Sequence, residues 1–160
     1  MIKIETYTSP YQQQVIDLIL PIQQHEFNVP VTIADQPDLL QIPQFYQKDG
    51  GNFWLALDGN RVVGTIALID FGGGQGALRK MFVQREYRGR EKGIAQQLLD
   101  TLTGWAKNHR ISEIYLGTVE QLKAAQQFYL KNNFVPFRKE DLPVNFPLMA
   151  VDTHFFKLSL

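Results

Sequence analysis

The sequence predicts one mixed α/β domain over residues 1–160, a largely antiparallel sheet with about four helices around it. Three observations lead there. Two strand-like apolar runs meet across Asp58-Gly59-Asn60, a hairpin signal. A further strand-like run, Leu78 to Val83, feeds a basic, glycine-containing loop and then a strongly periodic helix. The apolar spacing alternates between strand and helix periods throughout, with no repeat, low-complexity tract or linker.

Taken in order, Ile2 to Tyr7 alternates apolar and polar residues and forms a first strand. Ser9-Pro10 opens a helix, with Ser9 as cap and Pro10 in its first position, and Val15, Ile16, Ile19 and Leu20 make its apolar stripe. Pro21 lacks an N–H and crowds the preceding turn, which predicts a kink or stop. A second helix is expected over Pro37 to Gln47, capped by Asp35 or Gln36 and ended by Asp49-Gly50-Gly51. Phe53 to Leu57 and Val62 to Ile69 are the hairpin strands. Gly72-Gly73-Gly74-Gln75-Gly76 is a flexible connection into the strand at Leu78 to Val83. The helix from about Lys92 to Asn108 buries Ile94, Leu98, Leu102 and Trp105. Ile114 to Gly117 is a short buried strand. Gln121 to Lys131 is a last helix, with Leu122, Ala125, Phe128 and Tyr129 on one side and Asn132-Asn133 at its end. Phe134 to Phe137 and Phe155 to Leu158 complete the sheet.

Composition narrows the function. Sixteen basic residues balance sixteen acidic ones, which argues against nucleic acid or an anionic membrane as the main partner. Without cysteine there is no disulfide, thiolate metal site or cysteine nucleophile, and His25 and His154 form no metal pattern. Met1 is followed at once by strand-like residues rather than a leader, and no apolar run approaches the ~20 residues that span a bilayer. The expected location is the cytoplasm.

The stretch that carries chemistry is Tyr87-Arg88-Gly89-Arg90-Glu91-Lys92-Gly93-Ile94-Ala95. Free N–H groups and the aligned peptide dipoles at a helix start hold phosphate. Small residues at Gly93 and Ala95 let a pyrophosphate approach the backbone, and Arg88, Arg90 and Lys92 add charge. Two rival loops fail. Gly72 to Ala77 has the letters of a dinucleotide fingerprint but precedes a strand instead of opening a helix, and Gly93 is not followed by the Lys and Ser or Thr of a Walker loop.

With these residues in place, the whole chain resembles the GNAT superfamily of acyl-CoA-dependent N-acyltransferases. The pyrophosphate loop of that family reads Arg or Gln, two residues, Gly, one residue, then Gly or Ala, matched by Arg90-Glu91-Lys92-Gly93-Ile94-Ala95. Val83 and Tyr87-Arg88-Gly89 fit the strand end and turn before it. A second signature appears as Ala124-Ala125-Gln126-Gln127-Phe128-Tyr129 and Asn133-Phe134. From Val83 to Gly93 there are ten steps where the common pattern has eight, so Arg90 takes the register of the motif arginine and Arg88-Gly89 is displaced.

The resemblance implies a mixed sheet with a splayed parallel strand pair and an acetyltransferase using acetyl-CoA as acyl donor, without metal. It implies direct attack of a primary amine, of a small molecule or a peptide or protein, on the thioester. Diphosphate would sit on Gly89 to Ala95 and the pantetheine arm beside Met81, Phe82 and Val83, with a backbone N–H near Phe82 as oxyanion donor. Tyr129 would stand near the departing thiolate. Proton transfer from a tyrosine to a thiolate is uphill by roughly 2 kcal/mol, so Tyr129 is better described as a hydrogen-bond donor to sulfur. Glu26, beside the expected acceptor cleft, is the foremost candidate base, and His25, Asp70, Glu120 and His154 are the others. Phe27, Val29, Val31 and the segment Leu142 to Met149 would border that cleft and favour a small acceptor with some apolar body. A homodimer is compatible with the family. The rival from another class is a non-catalytic acyl-CoA-binding sensor or scaffold on the same fold.

Overall fold

The computed structural model describes residues 1–160. One seven-stranded sheet runs through it, built from β1 (Ile2–Thr6), β2 (Asn52–Asp58), β3 (Arg61–Gly72), β4 (Gln75–Val83), β5 (Glu113–Thr118), β6 (Val135–Phe137) and β7 (His154–Ser159). Its spatial order is β1-β2-β3-β4-β5-β7-β6, antiparallel everywhere except between β4 and β5. Helix α3 (Ile94–Asn108) makes the crossover that a parallel pair requires. It covers one sheet face together with α4 (Lys123–Lys131), burying Leu98, Leu102, Ile114, Leu116 and Phe134 in the larger core. On the opposite face, α1 (Gln12–Pro21) and the short α2 (Ile42–Phe45) close a second core around Ile19, Leu39, Tyr46 and Phe53. The expected fold class is the one observed.

Four local expectations need correction. Ser9 does not cap the first helix: a 3₁₀ turn, Ser9–Tyr11, comes first, with Thr8 at its cap position and no side-chain bond, and α1 starts at Gln12. Pro21 neither stops nor sharply ends the first helix. Its missing N–H releases one α-helical bond, and the chain continues as a single π turn, Ile22–Glu26, in which Phe27 N–H donates to the Ile22 carbonyl at 3.1 Å. The expected helix from Pro37 to Gln47 breaks in two, a 3₁₀ turn at Pro37–Leu40 and α2. Pro43 cannot donate to Leu39, and the break falls at Gln41, whose φ of −141° is extended. The connection at Gly72 to Gly76 is a tight turn rather than a flexible one. Gly73 and Gly74 take φ of +67° and +74°, as a two-residue hairpin of the favoured twist demands, so β3 and β4 run up to Gly72 and from Gln75. Asn133, at φ +72°, ends α4 in the left-handed conformation as its type suggested.

Two features of β4 set up the site. It pairs with β5 only over Gln75–Ala77 against Glu113–Tyr115, after which the strands part. Lys80, at φ +52°, is the extra residue of a β-bulge between the pairs Ala67–Arg79 and Thr65–Phe82. The bulge shifts the strand's alternation by one residue.

Candidate active site

The α3 entrance leaves its first backbone N–H groups unpaired. Gly93 caps the helix in the left-handed conformation, φ +64°, with no side chain over the helix end. Ile94, Ala95 and Gln96 have no carbonyl to donate to, and the first helical bond is Gln97 N–H to Gly93 carbonyl at 3.0 Å. Because a Cβ on Gly93 would meet nothing nearer than the Arg90 carbonyl at 3.9 Å, glycine is needed there for its backbone conformation rather than for space. Lys92 and Gly93 both donate to the Gly89 carbonyl, at 3.2 Å each. This turn leaves Gly93 at the helix start.

The basic side chains are distributed differently from the expectation. Arg90 is exposed at the rim. Lys92 Nζ instead donates to the Glu86 carbonyl and lies 5.7 Å from the Tyr87 ring centre, and the Tyr87 hydroxyl donates to Asp58 at 2.6 Å. Arg88 grips Glu26, with Nη1 and Nη2 at 2.5 and 2.8 Å from its two oxygens, and Nε donates to the Val83 carbonyl at 2.8 Å. Two of the three expected diphosphate cations, Arg88 and Lys92, therefore have partners within the protein.

The same pair bears on the candidate base. Hydrogen bonds and charge from Arg88 hold the Glu26 carboxyl below the usual carboxylate range, against the opposing pull of partial burial. With both oxygens on a guanidinium, it is poorly placed to take a proton. The remaining candidates are scattered. His25 lies on an open polar groove with Asp17, Arg61 and Arg85. Asp70 accepts from the backbone N–H groups of Gly50 and Gly72 at 2.9 and 3.0 Å, which makes it a turn-former. Glu120 is exposed and pairs with Lys123 at 2.5 Å and with His154 Nε2 at 2.9 Å.

Beyond the bulge, Thr65 stands opposite Phe82, and Gln84 N–H donates to the Val63 carbonyl at 2.8 Å. This register turns the Phe82 amide toward β3 and the peptide groups of Val83 into the splay. The strand amide left open in the splay is thus a neighbour of Phe82's and not its own. A cavity of about 90 Å³ lies in the gap, with Met81, Phe82, Leu116, Gly117 and Tyr129 along it and Val29, Val31, Val119, Met149 and Val151 as apolar walls. Val29 and Val31 stand where the sequence suggested. Of the segment Leu142 to Met149, only Met149 reaches the cavity; Phe146 packs in a separate cluster and Val144 is fully exposed. Tyr129 is buried among Phe128, Phe134 and Phe156, but its hydroxyl makes no hydrogen bond and borders the cavity. Burial, and then the charge of Asp152, push its pKa well above the ordinary tyrosine range.

Three charged residues of the cavity were missed in the sequence: Arg79, Lys80 and Asp152. Lys80 is buried, donates to Gln36 Oε1 and lies 3.6 Å from Asp38 Oδ2, and Asp38 also accepts the Tyr46 hydroxyl at 2.6 Å. Arg79 donates to the Pro147 carbonyl. Burial raises the Asp152 carboxyl, with Arg79 and Lys80 opposing. Two cations inside the apolar run Leu78 to Val83 were a visible signal, whereas a lone Asp in a loop is none.

The acetyltransferase (GNAT) family model matches residues 16–134. The chain belongs to the GNAT acetyltransferase family. A GNAT-family acetyltransferase structure from Staphylococcus aureus Mu50 is 40% identical, superposes with a TM-score of 0.95 and covers 99% of both chains. The rat protein N-acetyltransferase 8F1 is 28% identical over 121 residues, 72% of this chain. That match takes in 54% of the rat protein, so the GNAT chain spans about half the length of this relative. A PaiA N-acetyltransferase of Thermoplasma acidophilum, solved in complex with coenzyme A, shares the fold at a TM-score of 0.76 and 16% identity, over 100% of this chain and 99% of its own.

Proposed function

We propose that the protein transfers an acetyl group from acetyl-CoA to a primary amine by direct attack on the thioester. One observation carries this reading. The uncapped α3 entrance at Gly93 and the splay between β4 and β5 lie along β4 and its following loop, and the splay holds an unpartnered tyrosine hydroxyl, Tyr129. In this reading the diphosphate takes the N–H groups of Ile94 and Ala95, with Gly89, Arg90 and Gly93 shaping the approach. The pantetheine arm lies along Met81 to Val83, whose inner edge β5 leaves open. Tyr129 donates a hydrogen bond to the departing sulfur. Its raised pKa makes full proton transfer still less favourable, and hydrogen-bond donation is what remains. Glu26 serves as a positioning residue that fixes Arg88 against Val83 and keeps the loop in register.

Thermal unfolding with acetyl-CoA, free CoA and ATP, followed by thiol release with an amine panel, tests the reading. Ligand at a hundred times its dissociation constant adds about 2.7 kcal/mol, or roughly 5–10 °C for a domain of this size. A shift with acetyl-CoA and CoA but not ATP is expected, and no shift at millimolar acetyl-CoA overturns it. Binding without turnover of any amine would assign the fold to an acyl-CoA sensor instead.

A further inference from the structure

Resting on the acyl-transfer reading, we propose that Asp152 is the proton acceptor for the incoming amine, and that the acceptor is a primary alkylamine arriving as its ammonium ion. The carboxylate lies directly on the backbone of β5. Its Oδ2 is 2.5 Å from where a Cβ on Gly117 would stand, so only glycine at 117 lets Asp152 occupy the gap where β4 and β5 part. It lines the same cavity as Tyr129.

Every other charged group near it has a partner. From β4, Arg79 donates to the Pro147 carbonyl and Lys80 to Gln36, with Asp38 behind Lys80. On its own segment, His154 pairs with Glu120. From α4 comes Tyr129, a neutral donor. Asp152 itself accepts no hydrogen bond and forms no ion pair, and it is the one free carboxylate in the cavity. Its burial strengthens it as a base, while Arg79 and Lys80 favour its ionised form. The valine walls of a cavity of about 90 Å³ suit a slim alkyl stem behind the nitrogen.

Asp152 removes one proton from R–NH3⁺, and the freed nitrogen pair bonds to the thioester carbonyl carbon. The C–S bond breaks with its electrons on sulfur, where Tyr129 donates a hydrogen bond. The second proton leaves nitrogen for sulfur by way of water, and Asp152 returns its own proton to solvent. Products are the amide, CoA thiol and one released proton.

The test compares wild type with Asp152→Asn, using n-butylamine and the weakly basic trifluoroethylamine as probes. With a base in place the reacting pair is ionised Asp152 and ammonium, so kcat/KM for butylamine is flat from about pH 7 to 9, below the amine's pKa of about 10.4. In Asp152→Asn only free amine reacts, and kcat/KM rises about tenfold per pH unit. At pH 7 the variant loses about a hundredfold or more with butylamine and far less with trifluoroethylamine, while acetyl-CoA affinity holds within twofold. Parallel profiles in the two proteins, or equal losses with both amines, overturn the assignment. If the variant does not fold, the wild-type profile decides alone, and a tenfold rise per unit overturns it. Acetyl-CoA binding without butylamine turnover overturns the proposal but leaves the cofactor assignment, whereas no acetyl-CoA binding overturns the acyl-transfer reading itself.

Discussion

Replacing Glu26 by Gln separates a structural role from a catalytic one, because the two predict different magnitudes. The Glu26–Arg88 pair is two parallel charge-assisted hydrogen bonds, at 2.5 and 2.8 Å. The side chains are 24% and 33% exposed, so water screens the pair without dissolving it. Exposed pairs contribute about 0.2–1 kcal/mol, and bidentate geometry places this one near the top of that range. Glutamine keeps one acceptor and loses the charge. The expected cost at pH 7 is therefore about 1 kcal/mol or less, a fall in Tm of about 2–4 °C. The pH dependence has a definite sign. Folding depresses the Glu26 pKa, so its contribution is full above the unfolded value of about 4.3 and is lost as pH falls through the lower folded value. Wild type and variant thus differ at pH 7 and converge in acid, as parallel melts at pH 7 and at about pH 3 would show. A Glu26 that only positions Arg88 predicts a change in acetyl transfer of less than about threefold, whereas loss of a general base costs about 10²–10⁴. A hundredfold loss of kcat with unchanged acetyl-CoA affinity would refute this reasoning and restore Glu26 as the base.

Three further outcomes are expected. Tyr129→Phe lowers turnover at least about tenfold with acetyl-CoA binding nearly unchanged, as thiol release and calorimetry would register; unaltered turnover removes Tyr129 from the mechanism. Gly93→Ala forces a side chain into φ +64° and costs about 1 kcal/mol, read as a lower Tm, together with weaker acetyl-CoA binding; equal affinity would separate the cofactor from the α3 entrance. Lys80→Met leaves Asp38 buried without its cation and costs about 3 kcal/mol by urea unfolding, most of it recovered in the double variant with Asp38→Asn; no recovery would show that Lys80 acts alone.

The fold was readable because its signals are local. The Asp58-Gly59-Asn60 turn, the stripe of Ile94, Leu98 and Leu102 and the left-handed Asn133 each declare their structure within a few residues. Prolines explain two of the helical misreadings. Pro43 splits Pro37 to Gln47 by removing one donor, and Pro21 shifts the bonding pattern to a π turn instead of ending the helix. An apolar period alone shows neither effect, since Ile22, Leu39 and Ile42 stay buried in either conformation.

The site was readable only where one segment builds it. Gly93, Ile94 and Ala95 place the unpaired N–H groups of the α3 start on consecutive residues, so spacing sufficed to locate that feature. The acceptor end is assembled across the sheet, and its key is the bulge at Lys80. Strict alternation from Leu78 would put Lys80 on the α3 face with Leu78, a costly place for a cation. One inserted residue re-aims it to Gln36 and Asp38 and leaves Met81 and Val83 packed against the α3 core. Asp152 is further removed, since its place depends on the absence of a side chain at Gly117 on another strand. The adjacent cations Arg79 and Lys80 in an apolar strand imply buried carboxylates somewhere opposite them, because uncompensated charge is not tolerated there. That inference predicts that such carboxylates exist without naming them, and the structure supplies the names, Asp38 paired with Lys80 and Asp152 within the field of both cations.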